Sequence, residues 1–101
     1  PVITVVFNNR SLGMVRQWQE LFFDKRYSHV LLEEEVTDYV KLAESCGVKG
    51  FRVTNKADLP MVIKEAIKID KPVLIDVKID PNENVMPMVP AGKAINDMLG
   101  I

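Results

Sequence analysis

A single cysteine, Cys46, and a single histidine, His29, are all that the 101 residues offer among the usual nitrogen and sulfur ligands of zinc. With one thiol no internal disulfide can form, which fits a reducing compartment. One histidine and one cysteine this far apart in sequence do not build a zinc site, although a metal held by oxygen atoms stays open. Neither G-x-G-x-x-G nor G-x-x-x-x-G-K-[ST] occurs, so the usual glycine-rich phosphate cradles are missing. Ser, His and Asp are all present, but without the nucleophile-elbow motif of a hydrolase triad. No apolar run approaches the ~20 residues of a membrane span, and no basic leader precedes an apolar segment, so neither a span nor a signal peptide is expected. Excess charge is lacking too, since the formal net charge is −1 with acids and bases interleaved. Such a balance argues against a nucleic-acid groove or an anionic membrane as the main partner.

What remains is apolar. Hydrophobic residues make up 48% of the chain, enough for one core of modest size in one domain and far too much for disorder. The chain opens inside an apolar run rather than at a methionine, cap or linker, and a strand of that kind wants neighbours on both edges. A cut piece of something longer is expected on that ground.

Val2 to Phe7 (VITVVF) is β-branched and continuously apolar, the pattern of a central parallel strand, and it stops at Asn8 and Asn9. Ser11 can cap a following helix whose apolar positions Met14, Val15, Trp18, Leu21 and Phe22 recur at helical spacing. Arg16, Gln17 and Gln19 fall largely on its other side. Asp24 to Glu35 loses periodicity and is densely charged, as a functional or mobile connection would be. A second helix is expected from about Thr37 to Cys46, with Val36, Tyr39, Val40 and Ala43 inward and Gly47 as its stop. Gly50 to Thr54 reads as a short strand. Asn55 or Asp58 then caps a third helix with the stripe Leu59, Val62, Ile63, Ala66 and Ile67. Val73 to Ile79 alternates as the last strand, and a proline-rich tail ends in an amphipathic turn or two. The order β–α–(loop)–α–β–α–β predicts an α/β fold with a parallel sheet of about three strands and helices packed on it. We expect an α/β core over residues 1–80 and a tail over 81–101.

Candidate site residues gather at the end of the first strand. In open α/β sheets ligands enter the crevice at the carboxyl ends of strands. An asparagine amide oxygen and a nearby main-chain carbonyl are hard donors suited to magnesium, but an Asn-Asn pair also simply ends a strand and starts a turn. Met14 and Trp18, four apart, share a helix face that reads as core or as pocket wall. His29 reads as a solvated loop residue, Glu33-Glu34-Glu35 as a solvated approach to the second helix, and Cys46 as a small buried hydrophobe.

The wording of the sequence adds to its periodicity. Asn8-Asn9, Leu12-Gly13-Met14-Val15, Gln17-Trp18-Gln19 and Arg26-Tyr27-Ser28-His29, in this spacing, resemble the C-terminal part of the acetohydroxyacid synthase family, also called acetolactate synthases. Lys41-Leu42-Ala43-Glu44, Arg52-Val53, Lys71 to Asp76 and Pro87-Met88-Val89-Pro90 extend the likeness over essentially the whole chain.

The resemblance implies a partial three-layer α/β/α fold that binds thiamine diphosphate. It makes Asn9 a magnesium ligand and Ser11 a second one through its main-chain carbonyl. Gly13 and Met14 would lie against the cofactor, and Met14 and Trp18 would shape the substrate pocket. Gln17 to His29 resembles a mobile segment over the active site, and the tail from Asn84 a C-terminal lid. The implied reaction condenses two pyruvates, or pyruvate and 2-oxobutyrate, with decarboxylation, in branched-chain amino-acid biosynthesis. The implied setting is a homo-oligomer of catalytic subunits with an active site between them, FAD bound outside these residues, and a possible regulatory small subunit. The location would be the cytoplasm, or a plastid or mitochondrion in a eukaryote. The family's Gly-Asp-Gly aspartate and its activating glutamate do not occur here, so these residues alone are expected to be inactive. Two alternatives stand beside this reading: another thiamine-diphosphate decarboxylase or carboligase, and a non-catalytic domain of the same fold. The family's sheet order would put the last strand between the other two and leave one edge of Val2–Phe7 without a neighbour.

Overall fold

A computed structural model of the chain describes residues 1–32 and 37–100. The expected place of Glu33-Glu34-Glu35 and of Val36 lies outside these residues. The elements are β1 (Ile3–Asn8), α1 (Gly13–Phe22), α2 (Tyr39–Ser45), β2 (Lys49–Val53), α3 (Leu59–Lys68, entered through a 3-10 turn at Lys56–Asp58) and β3 (Val73–Lys78). The strands form one parallel sheet in the order β1-β3-β2, with Val5 and Phe51 both opposite Ile75. β3 is the central strand, as the family order implies.

Alternation along β3 decides the layers. Val73, Ile75 and Val77 point to one face, where Val62 and Ala66 of α3 and Val53 of β2 close the core, with Phe51, Leu59 and Ile69 at its margin. Removing each buried Val or Ile of this cluster from water is worth about 1.5–3 kcal/mol. α2 packs on β2 and β3 from the other face. It approaches so closely that a Cβ on Gly50 would lie 2.8 Å from Val40 Cγ1. Asn55 caps the 3-10 turn by accepting from Ala57 N–H, and Pro60 sits at the start of α3, where its missing N–H costs nothing.

Five expectations are corrected. The apolar stripe of α1 does not face a core: Arg16 and Gln17 are its buried residues, while Met14, Val15, Trp18 and Phe22 are exposed. Its N-cap is Leu12, without a side-chain cap bond, because Ser11 is drawn into a bridge with Leu31. The α3 stripe is covered on one side only, leaving Ile63 and Ile67 exposed, and Cys46 is exposed at the end of α2. The tail has no helix among the described residues; it folds back through an antiparallel bridge between Met88 and Leu99.

β1 has the composition of a central strand but stands at the sheet edge, with Phe7 70% exposed. Val2 and Asn8 accept from Val73 and Ile79 N–H at 2.9 and 3.2 Å, so Ile3, Val5 and Phe7 turn their peptide groups to the open edge. An apolar edge of this kind invites another strand. The isolated chain is therefore expected to self-associate in a concentration-dependent way by analytical ultracentrifugation. Val5→Pro, which removes an outward N–H and spares the bonds to β3, is expected to shift it toward monomer.

Candidate functional site

The carboxyl ends of the three strands open into a concavity of about 690 Å³, lined in part by Asn8, Asn9, Arg10, Asp38, Arg52 and Lys78. Its geometry begins with the two asparagines. Asn8 is buried; its Nδ2 donates to Asp76 Oδ1 at 2.9 Å, and its Oδ1 accepts from Arg10 N–H at 3.2 Å. Asn9 Oδ1 accepts from Ser11 N–H at 3.1 Å. Two successive side-chain-to-backbone turns therefore reverse the chain, and Arg10 between them takes a left-handed φ of 53°. Leu12 N–H to Val30 O and Leu32 N–H to Arg10 O, at 2.8 and 2.9 Å, tie the turn to the returning chain.

The turn brings three of the expected residues together. Asn9 bonds Ser11, and a Cβ on Gly13 would sit 2.7 Å from Asn9 Nδ2, so only glycine leaves the amide where it is. Ser11 Oγ is buried without a hydrogen-bond partner among the described residues. Met14 and Trp18 stand apart from this cluster. They line a second, apolar concavity of about 400 Å³ on the exposed face of α1 with Val15, Gln19 and Phe23. The Trp18 ring meets Phe22 edge-on at 5.5 Å between centroids. His29 is exposed, its Nδ1 2.9 Å from Ser28 Oγ.

Among the described residues no group of three or more His, Cys, Asp or Glu side chains is placed to hold a metal ion. Amide and main-chain oxygens at the turn are the remaining hard donors. Charge around the first concavity is organised by carboxylates. Asp76, with no exposure, accepts from Arg52 Nε at 3.3 Å and faces Lys78 Nζ at 3.2 Å. Asp38 caps α2, accepting from Val40 and Lys41 N–H at 3.1 Å, and pairs with the other end of Arg52. The Lys41 N–H and Arg52 hold the Asp38 carboxyl below its ordinary range, and Asp38 in turn raises Arg52.

Periodicity missed the buried side of α1, which holds the tail. Gln17, 1% exposed, accepts from Val85 N–H at 2.7 Å and donates to Val85 O at 2.8 Å, as a neighbouring strand would. Arg16 bonds Asn84 Oδ1 and Glu20 Oε2, each at 2.5 Å, and holds the Glu20 carboxyl below its ordinary range. The one signal in the sequence was a Gln-Trp-Gln run whose first glutamine faces away from the tryptophan.

Residues 1–77 match the family described as thiamine pyrophosphate enzyme, C-terminal TPP binding domain. Over 101 residues the chain is 45% identical to the acetolactate synthase large subunit of Porphyra purpurea, covering all of this chain and 17% of that one. It is 46% identical over 99 residues to the probable acetolactate synthase large subunit of Methanocaldococcus jannaschii, 98% of this chain and 16% of that one. It is 41% identical over 99 residues to the mitochondrial acetolactate synthase of Schizosaccharomyces pombe, of which it covers 14%. The chain thus spans about a sixth of the length of the curated relatives it matches. Among the described residues no helix is long and apolar enough to cross a membrane.

Two outcomes follow from this geometry. Asp38 has its folded pKa depressed, so its contribution is present above the unfolded value and is lost as pH falls through the folded one, below the ordinary 3.8. Urea unfolding followed across the acid range is expected to show that loss. Asp38→Ser, which keeps a capping oxygen without the titration, is expected to flatten it. Gln17→Ala removes two hydrogen bonds to Val85 and one to Met88 Sδ, and is expected to cost roughly 1–3 kcal/mol. It should also speed hydrogen exchange at the Val85 amide while leaving β3 amides protected.

Proposed function

Because the chain belongs to the thiamine pyrophosphate enzyme family, within its C-terminal TPP binding domain, we propose that residues 8–18 are one side of a thiamine-diphosphate site in an acetolactate synthase large subunit. The reaction would join two pyruvates, or pyruvate and 2-oxobutyrate, with loss of carbon dioxide, to 2-acetolactate or 2-aceto-2-hydroxybutyrate, as a step toward valine and isoleucine. The observation that carries this reading is the turn in which Asn9, Ser11 and Gly13 meet at the carboxyl end of a parallel strand.

The donors fit the group. Magnesium takes few protein ligands, all of them oxygens, and completes its shell with water and phosphate. The Asn9 amide oxygen and the Ser11 main-chain carbonyl are such donors, and the bare Cα of Gly13 is what lets the Asn9 amide stand where it does. The unpartnered Ser11 hydroxyl beside them leaves a buried polar atom for the bound group or its water to satisfy. Thiamine diphosphate, when bound, supplies the electron sink for decarboxylation and carbon–carbon bond formation.

This chain's own residues bind, orient and exclude water. Asn9 and Ser11 would hold the ion that fixes the diphosphate. Met14 would lie against the cofactor on the way to the pocket. Trp18, braced by Phe22, offers a flat apolar wall, and one extra methylene on an acceptor acid in such a pocket is worth ~1–3 kcal/mol. The tail held by Arg16 and Gln17 would help to shut out water. The exposed apolar face of α1, from Met14 to Phe23, suits burial against a second catalytic subunit. FAD and a regulatory small subunit would bind elsewhere in the assembly, in the cytoplasm or an organelle.

The test is an assay of the full-length enzyme that carries these residues, supplied with thiamine diphosphate, Mg2+, FAD and pyruvate. Acetolactate is the expected product; free aldehyde as the main product would assign the chain to another decarboxylase branch and overturn the proposal. Trp18→Leu is expected to keep acetolactate formation and to lose about tenfold or more of the preference for 2-oxobutyrate, read by competition between the two acceptors.

A further inference from the structure

The Asp76 carboxylate is fully buried in mid-strand, and nothing in the proposed reaction uses it. Its surroundings show what it holds. Oδ2 faces two cations, Arg52 Nε at 3.3 Å and Lys78 Nζ at 3.2 Å, and Oδ1 is left for Asn8 Nδ2 at 2.9 Å. A carboxylate only accepts, so it forces the Asn8 amide to present its NH2 group toward β3. The Asn8 carbonyl oxygen must then point the other way, where it accepts from Arg10 N–H. That bond pins a non-glycine residue in the left-handed region, a conformation that persists only where its surroundings over-determine it. Directly after it come the second turn, Asn9 Oδ1 to Ser11 N–H, and the Gly13 contact on the Asn9 amide.

We propose that Asp76 is a positioning residue for the Asn8–Ser11 turn: through Asn8 it sets the direction from which Asn9 and the Ser11 carbonyl are offered to a divalent cation. The proposal rests on the cofactor reading above for the identity of the ion. Its other half, that Asp76 fixes the turn, rests on the hydrogen-bond chain alone. Asp76 is outside the proposed ligand set and bonds only Asn8, Arg52 and Lys78 among the described residues; it acts as outer-shell partners of metal ligands do, where a substitution commonly weakens binding about 10–100-fold.

The experiment compares three forms of the full-length protein: wild type, Asp76→Asn, and the double variant Asn8→Asp with Asp76→Asn. In the double variant the pair is reversed. The carboxylate introduced on β1 can accept from the amide introduced on β3 and from Arg10 N–H, while the oxygen of that amide takes the place of Asp76 Oδ2 before Arg52 and Lys78. Mn2+ affinity is read by electron paramagnetic resonance with thiamine diphosphate present, and hydrogen exchange at the Arg10 and Ser11 amides is read without metal or cofactor. Asp76→Asn is expected to weaken Mn2+ about tenfold or more and to speed exchange at both amides, with Val6 unchanged. The double variant should return both readouts to within about threefold of wild type. Unchanged exchange at Arg10 and Ser11 in Asp76→Asn, or a double variant no better than the single one, would overturn the proposal. Wild-type protein that binds no Mn2+ with thiamine diphosphate would instead overturn the cofactor reading, and amide exchange would still judge the positioning role.

Discussion

The bonds that cross from Asn8 through Asp76 to Arg52 run over all three strands at the level where the sheet ends. Each strand contributes one polar residue to this row, on the face opposite the aliphatic core. Burying a lone carboxylate is costly unless it is paired and hydrogen-bonded, and Asp76 has two cations and an amide around it. Without it Arg52 and Lys78 would face each other across the sheet with no anion between them. The apolar face decides that a sheet forms. The polar row decides where the strands end relative to one another, and so where the turn after β1 begins.

Hydrogen bonds rather than apolar packing also place α1. Among the described residues this helix makes no extended packing against the sheet. It is tied at its start by the Asn8–Ser11 turn and the bonds to Val30 and Leu32, and along its length by the main chain at Val85 and by Asn84. Its hydrophobic face is left outward as a consequence. The sequence pattern identified the helix and both of its faces, but hydrophobicity assigned the buried face wrongly. The burial of Arg16 and Gln17 depends on partners 68 positions away, and no local period records a side chain that binds a peptide group.

The same limit separates what was legible at the site from what was not. The parallel sheet, the aliphatic face of β3 and the Val62–Ala66 stripe follow from alternation and helical period, and all stand in the structure. Asn9, Ser11 and Gly13 could be singled out from their wording, and the structure brings them within contact of one another. Asp76 was readable only as one polar position in an alternating strand, paired by pattern with Leu74 and Lys78. Its burial follows from the arrival of α2 over that face, which Gly50 permits. Half-covered elements carry the opposite signal. Val2 to Phe7 and the outer side of α3 carry more apolar surface than these residues cover, so composition asked for neighbours where the sheet has an edge.

The polar row and the tethers of α1 meet at one place, the left-handed turn at Arg10. On its strand side the turn is fixed by Asn8, whose amide direction is set by a charge on β3. On its helix side it is fixed by Asn9, whose amide is set by the empty side-chain position of Gly13. The two asparagines therefore do different work despite being adjacent and identical. The first is buried, with its NH2 group and its oxygen each bonded within the protein. The second has its amide oxygen engaged by one N–H and lies partly exposed at the mouth of the concavity. A carbonyl oxygen has two lone pairs, so one accepting bond leaves capacity for a cation. Asn8 is a part of the scaffold in this arrangement, and Asn9 is the residue it leaves with acceptor capacity at the concavity.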